Sequence, residues 1–291
     1  MSEDIPVLPP HPQVAAPAPA KHRVWPVFVA FGALVVLEVI AANEVVAAIA
    51  ISKYGTQLAA TKFDDVAKSA TGLLGNIACS MAIIAGIALG GAWLSPVRWR
   101  DRLCLHWVPL RLPILITGTL GIVSTGMIVT ACMNLGWIPG SPWQDALDRM
   151  LKNLSLGRAI MVVPLLDLLP ALVEEMLFRG YIQTRLVARW GATWGVFLTA
   201  LMFGTGHLDE ILGLRTVVNG CIYGFITVRT RSIVPAIICH AANNTISTLM
   251  VGDTKGRTDN LLILFLCLVI LPLAIFNLSR SLPPAKVTAT A

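Results

Sequence analysis

Two carboxylates stand side by side, Glu174 and Glu175, inside an otherwise apolar stretch, PLLDLLPALVEEMLFRGYIQ. A charged group at membrane depth is costly to keep, and by default it marks a functional site. Glu175 and Arg179 lie four positions apart with the acid first, the favourable orientation for an ion pair along one helical face. Glu174 is then left without a partner in its own helix and points about 100° away around the axis. Two later segments supply imidazoles, His207 in LMFGTGH and His240 in IICHAANNT, the latter together with Asn243 and Asn244. His240 and Asn244 are also four apart, so they rise from one face and can direct two donors at one developing oxyanion. A carboxylate able to activate water, a histidine able to help hold it and a His/Asn donor pair describe amide hydrolysis without a covalent intermediate. Taken singly, each of these histidines and asparagines more often serves as a hydrogen-bonding bridge between helices than as a chemical group.

Other catalytic patterns are missing from the sequence. There is no His-Glu-x-x-His, no Gly-x-Ser-x-Gly elbow and no Ser/Lys nucleophile and base pair in the apolar segments. Glu174, His207 and His240 also have the composition of a His₂Glu zinc site. The metal-free reading is preferred, because zinc would take Glu174 as a ligand and leave as base only Glu175, already paired with Arg179.

The elements that must position these groups are membrane helices. Of 291 residues 56% are hydrophobic and 13% charged, against about 25% charged in an ordinary soluble domain, and mean hydropathy is +0.74. The net charge of +6 is carried by cations scattered through short loops, which indicates topology and lipid contact rather than a nucleic-acid surface. The six cysteines have no Cys-x-x-Cys pair or disulfide spacing and read as small apolar residues. Apolar spans are expected at roughly 25–51, 71–94, 113–138, 158–188, 191–207, 211–228, 232–250 and 261–279, each near the ~20 residues that cross a bilayer. The fold class is therefore all-α, a polytopic bundle of about eight transmembrane helices, expected to hold a conical or buried polar cavity.

Counting about 1.5 Å per residue from the expected cytoplasmic helix ends puts Glu174 at ~21 Å, His207 at ~24 Å, Asn244 at ~20 Å and His240 at ~14 Å, a nearly common layer. Pro164 and Pro170 free backbone carbonyls in the Glu174 helix, which a wet cavity would satisfy. Asp167 shares the Glu174 face and reads as a second cavity acid or the partner of an inward arginine. Glu38, Asn43 and Glu44 in the first span are expected to bridge helices, or else to line the substrate's way in. Four regions are expected: a disordered Pro/Ala-rich cytoplasmic tail over 1–23, three helices over 24–140, a catalytic core over 141–280 and a C-terminal tail over 281–291. The Arg-rich segment SPVRWRDRLCLHWVPLRLP is the strongest orienting signal and has an interfacial, amphipathic character. It predicts both termini on the cytoplasmic side.

Glu174-Glu175-Met-Leu-Phe-Arg179, Phe203-Gly-Thr-Gly-His207 and His240-Ala-Ala-Asn-Asn244 resemble, in order and spacing, the three motifs of the CPBP family. These are the CAAX proteases and bacteriocin-processing proteins, also called the ABI family, among them the type II CAAX prenyl endopeptidases or Ras-converting enzymes. The resemblance covers residues 158–250 and implies an eight-helix intramembrane endopeptidase. It makes Glu174 the general base, His207 the residue that positions water, His240 and Asn244 the oxyanion hole, and Glu175, Arg179 and Phe203 structural supports. Members have been described both as glutamate-type and as metalloproteases, so the implied cofactor is none or, alternatively, zinc on Glu174, His207 and His240. The implied partners are the lipid bilayer and a membrane-embedded or membrane-anchored peptide substrate. The short loops and Ala/Val-rich composition point to a bacterial cytoplasmic membrane. Two other functions fit the same residues: a non-catalytic immunity or scaffold protein of this fold, and a proton-coupled transporter.

Overall fold

A computed structural model describes residues 23–152, 155–250 and 256–282. The expected tails lie outside the described residues apart from Arg23, Ser281 and Leu282. Among the described residues there are helices and no strand: α1 (Trp25–Tyr54), α2 (Thr56–Ala59), α3 (Phe63–Ala67), α4 (Ala70–Trp93), α5 (Trp99–Arg102), α6 (Leu112–Asn134), α7 (Pro142–Lys152) and α8 (Leu156–Val163) come first. A π-helical segment (Pro164–Leu168), α9 (Leu169–Glu175) and a second π-helical segment (Met176–Gln183) run directly into α10 (Thr184–Thr205). The chain closes with α11 (Glu210–Thr230), α12 (Val234–Leu249) and α13 (Arg257–Ser281).

Each expected apolar span is helical, and six helical runs are long and apolar enough to cross a membrane: α1, α4, α6, Pro164–Thr205, α11 and α13. The count falls below eight for two reasons. The expected fourth and fifth spans are counted there as one run, yet they are two helices: the chain turns back at Gly191, whose φ of 81° and ψ of 170° are not helical, so that Phe203 lies against Phe178 and a Cβ on Gly195 would meet the Val187 backbone. α12 has only 16 residues, about 24 Å of helix, and packs inside the bundle against α6, α9 and α11. The outward faces of α1 and α13 carry exposed large apolar side chains such as Val36, Ile40, Phe265 and Phe276. A helix apolar on its outer face as well as its inner one belongs in lipid, so the chain is an integral membrane protein.

Helix ends follow local chemistry. Ser69 caps α4 by accepting from the Gly72 amide at 3.2 Å, and Asp209 caps α11 by accepting from the Leu212 amide at 2.8 Å. Pro26, Pro113 and Pro235 sit in the first turns of α1, α6 and α12, where a missing N–H is not missed. Pro164 opens the first π-helical segment; a residue without an amide disrupts the regular ladder there, and such π segments recur at functional sites.

One element was not legible in the sequence. Residues 142–152, expected as part of an outside loop, form the amphipathic helix α7, which buries Ala146 and Met150 against Leu73 of α4. In α1, Glu38 does bridge helices, accepting from the Ser80 hydroxyl of α4 at 2.7 Å, and it lines the cavity as well. Asn43 does not: its side chain donates to the Val39 carbonyl of its own helix, and both it and Glu44 are exposed away from the cavity.

Helices α10 and α11 cross almost backbone to backbone. A Cβ on Gly204 would lie 2.6 Å from the Gly213 carbonyl oxygen, and one on Gly213 would lie 2.8 Å from that of Gly204. Close approach through small residues is how membrane helices gain packing, and here it fixes the helix end that carries His207. Gly204→Ala is therefore expected to lower stability by about 1–3 kcal/mol, read as thermal unfolding in detergent. Gly86→Ala in α4, where nothing lies within 4 Å of the added atom, is expected to leave the melting point unchanged or raise it slightly.

Candidate active site

Glu175 and Arg179 are both fully buried and pair at 2.9 Å, as their spacing predicts. The other terminal nitrogen and both faces of the guanidinium are used too, while Nε has no hydrogen-bond partner. Arg179 Nη2 donates to the Gly220 carbonyl of α11 at 3.3 Å, and its Cζ lies 4.2 Å from the Phe203 ring centre and 5.0 Å from that of Tyr223. One turn on, Gln183 donates to the Gly224 carbonyl at 3.1 Å. Two side chains of the second π-helical segment thus dock onto two glycine carbonyls, spaced one turn apart, on α11. Gly180 lies between them, and a Cβ there would come within 2.5 Å of the Leu103 carbonyl oxygen. The segment before α6 therefore packs directly on this helix.

The ion pair is also tied to the third motif. Glu175 Oε1, the oxygen held by Arg179, lies 3.0 Å from His240 Nδ1. A carboxylate oxygen can only accept, so Nδ1 carries the proton and Nε2 is directed elsewhere. Nε2 sits 3.8 Å from Glu174 Oε2. Tyr223 stacks on the His240 ring, with centres 4.7 Å apart and planes at 18°. His240 is thereby held in one orientation between the two glutamates, and Glu175 does more than neutralise an arginine.

His207 Nδ1 lies 2.8 Å from the Phe203 carbonyl oxygen, which fixes Nδ1–H as a donor and leaves Nε2 free. Phe203 meets the His207 ring edge to face, with centres 5.1 Å apart. It also packs on Phe178 at 4.9 Å, so the Phe of the second motif supports both Arg179 and His207. Asn244 Nδ2 donates to the Asp167 carbonyl at 3.3 Å, and Asn244 Oδ1 accepts from Asn243 Nδ2 at 3.2 Å. One amide hydrogen of Asn244 stays available. Asp167 is buried and faces the cavity, yet its partner is the Thr248 hydroxyl at 2.9 Å rather than an arginine.

Glu174, His207, His240 and Asn244 all line one cavity of about 520 Å³. Its far wall comes from Glu38 of α1 and Asn76 and Ser80 of α4, and its rim from α7 through Trp143, Gln144 and Asp148. Desolvation at that rim raises the Asp148 carboxyl above its usual range, with Lys152 opposing the shift. Tyr223, the Ser80 partner of Glu38 and the cavity-lining Arg215 had no signal in the motifs; each comes from a helix whose rotation only the fold fixes. Among the described residues no group of three or more His, Cys, Asp and Glu is gathered as a metal-binding cluster. A zinc set of Glu174, His207 and His240 would need ligand atoms about 2.0–2.2 Å from one ion; two of its members, His240 Nε2 and Glu174 Oε2, lie 3.8 Å apart.

Residues 156–246 match the family model described as type II CAAX prenyl endopeptidase, Rce1-like. The matched stretch contains all three motifs and the helices that carry them, and it is the family that the motifs resemble. It supports an intramembrane endopeptidase of the CAAX-protease type in general. No curated protein matches, and no solved structure matches.

Replacing Arg179 by Leu would strand the fully buried Glu175 carboxylate. The expected loss is about 3–5 kcal/mol, seen as a large drop in melting temperature in detergent. Glu175→Gln together with Arg179→Leu, which removes both charges, should recover much of that loss.

Proposed function

We propose that the protein is a metal-free, glutamate-type intramembrane endopeptidase, with Glu174 as general base. Water held between Glu174 and His207 Nε2 gives its proton to Glu174 as its oxygen attacks the scissile carbonyl carbon. The resulting oxyanion lies between His240 Nε2–H and the free amide hydrogen of Asn244. Collapse of the tetrahedral species breaks the C–N bond, and Glu174 returns its proton to the leaving amine. No covalent enzyme intermediate forms. For His240 to donate from Nε2 while Nδ1–H stays on Glu175, the ring must carry both protons, and the Glu175 carboxylate stabilises that cation. This is the part a carboxylate plays toward the imidazolium in a Ser-His-Asp triad.

The observation that carries this reading is the approach of His240 Nε2 to Glu174 Oε2 at 3.8 Å, in a cavity that also receives His207 and Asn244. The substrate is a membrane-embedded or membrane-anchored polypeptide. The proposed setting is a bacterial cytoplasmic membrane with both chain ends cytoplasmic, in line with the basic loops.

The purified protein is to be tested in detergent against membrane-anchored peptides. Glu174→Gln should lower the cleavage rate by about 10²–10⁴, and Asn244→Ala should lower kcat by about 10² with a smaller effect on KM. Retained cleavage by the Glu174 variant would remove it as the base. Cleavage should survive a strong chelator, and elemental analysis should find no stoichiometric zinc; zinc lost together with activity would replace the metal-free mechanism.

A further inference from the structure

Arg215 on α11 is the one Lys or Arg among the described residues that line the cavity. Its Nε is closed to solvent and has no hydrogen-bond partner. No hydrogen bond or ion pair ties the guanidinium to any described residue, which sets it apart from the other arginines inside this protein. Arg179 has Glu175, the Gly220 carbonyl and two ring faces. Arg185 donates to the Tyr181 carbonyl at 2.9 Å and lies 3.8 Å from the Tyr181 ring centre.

The acids near Arg215 are otherwise engaged. Both oxygens of Asp209 accept, one from the Leu212 amide at 2.8 Å and one from the Ser141 hydroxyl at 2.6 Å. Across the cavity, Glu38 is taken by Ser80 and Asp167 by Thr248. Asp148 reaches the cavity from α7 and makes no ion pair with Arg215. The aliphatic part of Arg215 runs past Gly126 of α6, where an added Cβ would lie 3.8 Å from Cδ and Nη1. One turn along α11, Asn219 also lines the cavity, with a buried Oδ1 that has no partner.

A guanidinium keeps its charge under all ordinary conditions, and at membrane depth an unpaired charge is unfavourable unless something answers it. Its planar fork of donors fits a carboxylate, and Asn219 Oδ1 one turn away, an acceptor without a partner, can take one guanidinium N–H and orient the fork. We propose that Arg215, aided by Asn219, anchors a carboxylate of the substrate. The anchor makes this cavity selective for peptides that bring a negative charge close to the scissile bond. This deepens the endopeptidase reading and rests on it for the word substrate. The carboxylate can be an Asp or Glu side chain or a free chain end, and the two are separable by experiment.

The test uses full-length Glu174→Gln protein in nanodiscs, so binding is read whether or not the wild type cuts. The probes are apolar peptides carrying an uncharged BODIPY label and one central Glu or Gln, each made as free acid and as carboxamide. The carboxylate-bearing probe is expected to bind about tenfold tighter than its neutral counterpart. Which substitution carries the gain tells a side-chain carboxylate from a terminal one. In Glu174→Gln/Arg215→Gln protein the ratio should fall to about one, and in Glu174→Gln/Arg215→Lys it should be partly kept, with unchanged melting temperatures certifying the fold. Equal affinities for all four probes in the Glu174→Gln protein would overturn the proposal. So would affinities that follow phosphatidylglycerol against phosphatidylcholine in the nanodisc instead of the probe's charge, since a lipid phosphate would then be the ligand. Failure of the wild type to cut any peptide would instead bear on the endopeptidase reading and leave this measurement intact.

Discussion

One buried carboxylate oxygen, Glu175 Oε1, accepts from Arg179 Nη1 and lies against His240 Nδ1, at 2.9 and 3.0 Å. The arrangement joins three parts of the chain that are far apart in sequence. Through Arg179 it reaches the Gly220 carbonyl of α11 and the Phe203 ring of α10, and through His240 it reaches α12. A buried ion pair adds little net stability over well-packed apolar residues, but it is intolerant of losing one member. Its value here is positional. With both partners in place, α9, α11 and α12 are constrained to one relative rotation, and that rotation brings Glu174 to the cavity while keeping Glu175 out of it.

Adjacency of the two glutamates then becomes useful. Consecutive helical residues diverge by about 100°, so one backbone position can serve the interior of the protein and the next can serve water. Glycines at the crossings let this happen without long side chains separating the helices: Gly204 against Gly213, Gly220 against Ala200, and Gly180 against the Leu103 backbone. The result is a set of polar groups held on short levers in an apolar surround. That is the condition under which fixed dipoles act most strongly on a developing charge.

Much of this was legible in the sequence because it depends on spacing within one helix. The Glu175–Arg179 pair and the alignment of His240 with Asn244 follow from local periodicity, and the gap between the expected fourth and fifth spans falls where the chain breaks at Gly191. Contacts between helices were not legible. Nothing in the sequence ties His240 to Glu175, 65 positions away, or gives Asp167 a threonine rather than an arginine. A bundle of about eight helices fits: six runs qualify by length and apolarity alone, one of them is two helices folded back at Gly191, and α12 is shorter and enclosed by protein. α7 escaped notice because its polar face dominates its composition, so only its packing on α4 reveals it. Arg215 lay in no motif, and its significance is a matter of what surrounds it.

The central claim is that Glu174 activates water for peptide-bond hydrolysis inside the membrane, and mapping of protein termini tests it most directly. Membranes are compared from otherwise identical cells carrying the wild-type protein or Glu174→Gln at equal abundance. The account predicts a defined set of new chain ends, close to or within membrane-spanning segments, that are present with the wild type and absent with the variant. Identical sets of ends in the two membranes would contradict it.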